Sequence, residues 1–223
     1  MATSPLTTEV VFSIGPVPFS RAVVTTWAIM AVLTLVSWLG LRRARAHAGG
    51  FQMALEIVVE TLERQIAEII RRDTSRYLPL LGTLFVFLVC ANLSIIVPGA
   101  KPPTAHLETP AALAILVFVS VHYFGIRSRG VLPYLRRYVR PNPLLLPLNL
   151  LSEITRTFSL MVRLFGNIMS HELVIGVVVL LVGLLLPVPF MVLSILIGII
   201  QAYIFTVLAA VFIGAAVDTT QAE

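Results

Sequence analysis

Apolar residues in this chain come in long runs, and the polar residues between them fall into a few groups. Ala22 to Leu41 is apolar over a length that can span a bilayer, and Arg42, Arg43 and Arg45 follow at once. A signal peptide would carry its positive charge ahead of the apolar run, so 22–41 reads as a span. Residues 51–72 differ. There Phe51, Leu55, Val58, Val59, Leu62, Ile66, Ile69 and Ile70 recur at three- and four-residue steps, with Glu56, Glu60, Glu63, Arg64, Glu68, Arg71 and Arg72 between them. The spacing predicts an amphipathic helix, too charged to cross, with Glu60–Arg64 and Glu68–Arg72 as favourable pairs. It either lies on the membrane surface or offers a docking face to a partner helix.

Further spans are predicted at 77–97, closed by Pro98-Gly99, and at 111–126. After Pro141 and Pro143 a run extends from Leu144 to Leu186, with Pro147 near its start. Its 43 residues would form a helix ~65 Å long, about twice the hydrocarbon thickness, so it must tilt steeply, kink or run partly along the surface. Pro187 and Pro189 separate it from a last helix at 191–217. Residues 1–21 form a polar, turn-rich N-terminal segment, and 218–223 a polar tail. No tandem or inverted repeat is visible.

Composition agrees with this pattern. Of 223 residues, 58% are hydrophobic and 12% charged, the latter about half the roughly 25% of a soluble domain. Disordered, coiled-coil and ordinary soluble-enzyme classes are excluded. The fold class is an all-α integral membrane protein: about five membrane-embedded helices plus one amphipathic surface helix, the last two long and strongly tilted as a hairpin. The whole chain, 1–223, makes one membrane domain.

The net charge of +5 is concentrated in arginines. Arg127, Arg129, Arg136, Arg137 and Arg140 follow the 111–126 span, whereas Lys101 is the one basic residue other than His106 in the loop before it. Together with Arg42, this asymmetry places the arginine loop and the C-terminus in the cytoplasm and the N-terminus outside. Nothing in the loop reads nucleic acid. Cys90 is the single cysteine, so no internal disulfide forms.

The candidate chemistry lies in the first long helix. At about 100° per residue, Asn149, Ser152, Arg156, Ser159, Arg163, Asn167 and Ser170 all fall within about 40° of Arg163. This stripe is ~31 Å long, enough to cross the bilayer core. Glu153 and His171 flank it near +80°, and Glu172 lies near 180° by the same spacing. A charged residue at the bilayer centre costs roughly 2.5–3.5 kcal/mol even on a lenient scale, so the stripe must face a partner, water or the bundle interior. Arginine stays protonated at physiological pH and suits a fixed positive charge rather than a proton carrier. Histidine and glutamate can carry protons. Acids on either side of Arg163 suggest two ion paths separated by a barrier; the alternative is ion pairing that merely holds the bundle. In the last helix Ser194, Gly198 and Gln201 share a face, and Gln201 is a candidate hydrogen-bond partner for Arg163 or a water chain. No metal cluster, phosphate loop or catalytic triad is present in the sequence, so no cofactor is expected.

The run Ser159-Leu160-Met161-Val162-Arg163-Leu164-Phe165-Gly166-Asn167 closely resembles the signature of subunit a of the F-type ATP synthase membrane sector, and so does Gln201-Ala202-Tyr203-Ile204-Phe205. Ala91-Asn92-Leu93 with Val97-Pro98-Gly99 resembles an earlier span of that family. The resemblance covers about residues 20–217. It implies a non-catalytic stator subunit in a bacterial inner membrane, beside a ring of c subunits and a peripheral-stalk b subunit. Ions would enter by one half-channel, bind a ring carboxylate and leave by another. By the resemblance Arg163 is the charge barrier, and Asn167, Glu172 and Gln201 line channels or support it. Family members often carry histidine in place of Ser194, glutamate in place of Asn149 and proline in place of Thr157. Here His171 adjoins Glu172, and Glu153 lies one turn beyond Asn149. Protons are the expected ion, with sodium the alternative. A self-contained proton- or sodium-coupled transporter is the competing reading.

Overall fold

The computed structural model describes residues 10–14, 17–44, 50–70, 74–96, 102–139, 144, 146–182 and 187–217. Residues 1–9, the C-terminal tail, Lys101, Arg140 and Arg72, and with it the Glu68–Arg72 pair, lie outside the described residues. Within the N-terminal segment, β1 (Val10–Ile14) and β2 (Val17–Ser20) form an antiparallel hairpin with Val10 opposite Ser20 and Ile14 opposite Val17. The remaining elements are helices.

Helix α1 (Arg21–Ala44) begins directly after the hairpin. Among its described side chains Ala22, in the first turn, is the one that is buried, while Trp27, Met30, Leu35 and Trp38 are exposed. It is a peripheral helix tied to the bundle by Thr26, whose hydroxyl lies 3.4 Å from that of Thr109. Helix α2 (Gly50–Ile70) is the amphipathic element. Its Leu62, Ile66 and Ile70, one turn apart, are buried. They belong to the main core and pack onto the last helix of the same chain. The docking partner is therefore internal, and Tyr203 Oη donates to Gln65 Oε1 at 2.7 Å across that contact. Met53, Ile57 and Val59 stay exposed. The Glu60–Arg64 pair forms at 2.5 Å between exposed side chains, which makes it worth little.

Helices α3 (Leu78–Leu93), α4 (Glu108–Arg129), α6 (Leu146–Val182) and α7 (Pro187–Val217) make the bundle. With their flanking turns, these four are long and apolar enough to cross a membrane, while the apolar stretch of α1, Ala22–Trp38, is shorter. Helix α7 is the hub and touches α2, α3, α4 and α6. Its buried face carries Gly198, Ala202, Phe205, Ala209, Ile213 and Ala216 at three- and four-residue steps. Small residues on that face let neighbouring backbones come close. Against it lie Leu81, Leu84, Leu88 and Ala91 of α3 and Ala114, Val117 and Val121 of α4.

The arginine-rich segment after α4 is not a plain loop. Gly130 turns the chain at φ +84°, a conformation that favours glycine, and α5 (Val131–Val139) follows. Tyr134 of α5 is buried and rests on Gly125 of α4, where a side chain would collide with its ring.

Helix α6 has 37 residues, about 55 Å at 1.5 Å per residue, and α7 has 31, about 46 Å. Both exceed the roughly 30 Å hydrocarbon core, so both must tilt if buried in it. They run antiparallel: Arg156 meets Phe212, whereas Asn167, further along α6, meets Gln201, earlier in α7. Only a narrow line of α6, namely Leu160, Leu164 and Ile168, is buried in the chain. Most of its circumference faces outward.

Candidate functional site

The polar stripe of α6 lies beside its buried line rather than on it. Leu160, Leu164 and Ile168 sit about 100° around the helix from Arg163, so packing that line turns the arginine face outward. Arg156, Ser159 and Arg163 are accordingly exposed along an open groove of roughly 440 Å³. Ser152 and Thr155 of α6 continue the wall, and Leu208 and Phe212 of α7 close the other side. The bundle-interior option is thereby removed for Arg156, Ser159 and Arg163. The groove occupies the half of α6 before Arg163 and reaches Arg163 at its far end.

Arg156 is held over the Phe212 ring, 5.7 Å from its centroid, a cation–π contact that fixes the guanidinium against α7. Among the described residues, neither Arg156 nor Arg163 is ion-paired. The nearest acids along the helix, Glu153 and Glu172, are half-buried and not bridged to them. Internal ion pairing, the bland explanation for charges in this helix, is not what the described residues make. Glu153 and Glu172 are ~15 Å and ~14 Å from Arg163 by helical rise, on opposite sides of it.

Beyond Arg163 the helix pair turns polar inside. Asn167 Nδ2 donates to Gln201 Oε1 at 3.4 Å, while the buried Gln201 Nε2 has no partner among the described residues. Gln201 therefore meets Asn167, not Arg163. Asn167 sits about 40° from Arg163 towards the buried line, which brings it within hydrogen-bond reach of Gln201 while Arg163 stays exposed on the groove. Ser194, earlier on the same face of α7 as Gln201, is buried and donates to the Phe190 carbonyl at 2.8 Å. It joins neither His171 nor Glu172, both of which are half-buried on α6. Asn149, also half-buried, stands at the opposite end of the stripe, near the start of α6. The structure thus brings Asn167 and Gln201 together, gathers Arg156 and Arg163 on one groove, and leaves Glu153, His171, Glu172 and Ser194 as separate stations along the helix pair.

One buried polar cluster is new. Asn92 of α3 donates through Nδ2 to the Gly198 carbonyl at 2.8 Å, and its Oδ1 accepts from Thr104 Oγ1 at 3.0 Å. Asn92 and Thr104 are both buried, so each bond replaces solvent that neither group can reach. Thr104 belongs to the short 3₁₀ turn Pro103–Ala105, which touches α6 as well. The cluster pins this loop, α3 and α7 together at the Gln201 end of the helix pair. In the sequence it shows as an Asn in an apolar run, within the Ala91-Asn92-Leu93 resemblance.

Comparison with known proteins points the same way. Residues 23–214 match the family described as ATP synthase A chain. A protein named ATP synthase subunit a 2 from a Bradyrhizobium species is 59% identical over 98% of this chain and 98% of its own. A protein of the same name from Pelobacter propionicus is 47% identical over 97% and 95% of the two chains. ATP synthase subunit a 1 from Hahella chejuensis is 45% identical over 96% and 92%.

Proposed function

Because the chain belongs to the ATP synthase A chain family and is therefore a non-catalytic, multi-pass subunit a of an F-type membrane sector, we propose that its α6 stripe is the stator face of an ion path. The observation that carries this reading is the exposure of Arg156 and Arg163 on a helix long and apolar enough to cross a membrane. A lipid-facing arginine costs roughly 2.5–3.5 kcal/mol at the bilayer centre, so two such residues require a covering partner or water. A ring of c subunits bearing carboxylates supplies both the surface and the opposite charge. The self-contained transporter reading has no need of an outward-facing cation and gives way to family membership.

In this reading the groove from Leu148 to Arg163 is the cytoplasmic half-path, entered near Asn149 and Glu153. Arg163 closes it. A ring carboxylate arriving there is held ionised by the guanidinium and gives up its ion to the groove. On the far side, Glu172, His171, Ser194, Asn167 and Gln201 form the periplasmic half-path. The unpartnered Gln201 amide offers a donor to a water or to the ion's carrier. Ions cannot bypass the ring, because a fixed cation repels them along the direct route. The proton is the transported ion, since His and Glu can relay it. The N-terminus faces the periplasm and the C-terminus the cytoplasm of a bacterial inner membrane, and a b subunit contacts the chain elsewhere.

Crosslinking tests the partner. A photo-crosslinking residue placed at Ser159, in the groove, should capture a c subunit in assembled complexes. The same residue at Val119, exposed on the outer face of α4, should not. Capture of c from Val119 but never from Ser159 would overturn the assignment of this face.

A further inference from the structure

A second open cavity, of roughly 820 Å³, lies where the start of α3 meets the end of α4. It shares no lining residue with the groove on the α6 stripe. Arg76 and Arg127 line it, with Ser75 and Ser128 beside them, and no carboxylate is among its described lining residues. Its wall contains Tyr77 and Phe124, packed edge to face with ring centroids 4.9 Å apart. Arg127 Nη1 donates to Tyr123 Oη at 3.0 Å, which steadies the guanidinium at the cavity and leaves its other donors to a ligand.

Two features identify the ligand class. Two guanidinium groups lining one cavity, with hydroxyls beside them, suit a phosphate oxyanion, which a guanidinium can bind bidentately. Exposed apolar residues of α4 also lie in line with the cavity. Leu116, Val119 and Tyr123 are exposed along one line of α4, at 48%, 57% and 54%, and lead to Arg127. A free phosphate has no use for that line, whereas an acyl chain does. Tyrosines beside the arginines match the headgroup level of a bilayer. We propose that this cavity is a binding site for an anionic phospholipid, with Arg76 and Arg127 on its phosphodiester and its chain along Leu116 and Val119.

Native mass spectrometry of the full chain in non-ionic detergent tests this with phosphatidylglycerol, phosphatidylcholine and inorganic phosphate as probes. Phosphatidylglycerol should be retained over phosphatidylcholine and should survive millimolar phosphate. Near a membrane surface each arginine contributes about five-fold to the binding of an anionic lipid, so Arg76→Gln with Arg127→Gln should weaken it roughly 30-fold. Arg136→Gln, outside the cavity, should leave it unchanged. Equal retention of the two lipids, an unaffected double variant or displacement by phosphate would each overturn the proposal. Should the double variant fail to fold, a photoreactive phosphatidylglycerol on the wild-type assembled complex decides: labelling at the ends of α3 and α4 supports the site, and labelling only elsewhere refutes it.

Discussion

Gly198→Ala probes the contact that holds the two halves of the bundle together. A Cβ at position 198 would lie 2.9 Å from Asn92 Cβ and 3.6 Å from its Cγ and Nδ2. Carbon atoms rest at about 3.5–4.0 Å, so α3 and α7 must separate by roughly 0.6 Å or more. Neither side is a flexible tip: the Asn92 Cβ is fixed to its helix, and Asn92 is itself bonded to the Gly198 carbonyl at 2.8 Å. Separation by that much takes the bond to the edge of hydrogen-bond range and strains the link to Thr104. Overpacking costs about 1–3 kcal/mol and the weakened buried bond about 1 kcal/mol more. Better helix propensity returns up to about 1 kcal/mol. The net loss is about 1–3 kcal/mol. Unfolding of the purified chain by SDS in mixed micelles, followed by circular dichroism, measures it. Gly82→Ala is the control, because a Cβ there would meet nothing within 4 Å, and it should be neutral or slightly stabilising. In an Asn92→Gly background, Gly198→Ala should cost far less. Full stability of Gly198→Ala, or an additive double cycle, would refute the argument.

Other outcomes follow from the same structure. Gly130→Ala forces φ +84°, ψ 161° on a residue with a side chain, which costs about 1–3 kcal/mol; hydrogen exchange should show α5 losing protection before α4. Tyr203→Phe removes the bond to Gln65 and should raise exchange in α2 by an amount matching about 0.5–1.5 kcal/mol, with α4 unchanged. His171→Leu and Glu172→Leu should each slow proton flux in inverted vesicles about ten-fold or more, as expected when a positioned proton carrier is removed. Flux equal to wild type across pH would make both residues packing elements.

Much of the site was legible because charge inside a membrane is rare. Arg156 and Arg163 interrupt apolar sequence, and helical spacing alone puts them on one face with Ser159 and Asn167. Spacing could not say whether that face points inward or outward. The answer depends on Leu160, Leu164 and Ile168 packing against the rest of the chain, a tertiary fact. For the same reason spacing could put Gln201 on a polar face of α7 but could not choose Asn167 over Arg163 as its neighbour. Helix α5 was hidden by its arginines, which read as a loop, while Tyr134 and its seat on Gly125 depend on a glycine turn between them. The β1–β2 hairpin has strands of five and four residues, too short to announce themselves among prolines. The Asn92–Thr104–Gly198 cluster joins positions up to 106 residues apart and has no periodic trace in the sequence.

The central claim is that Arg163 separates two ion paths and does not itself conduct. Arg163→Ala tests it in inverted vesicles holding the assembled complex. ATP-driven proton pumping should vanish while subunit assembly and ATP hydrolysis by the soluble sector persist, and passive proton flux through the membrane sector should remain or rise. Normal ATP-driven pumping in that variant would contradict the account.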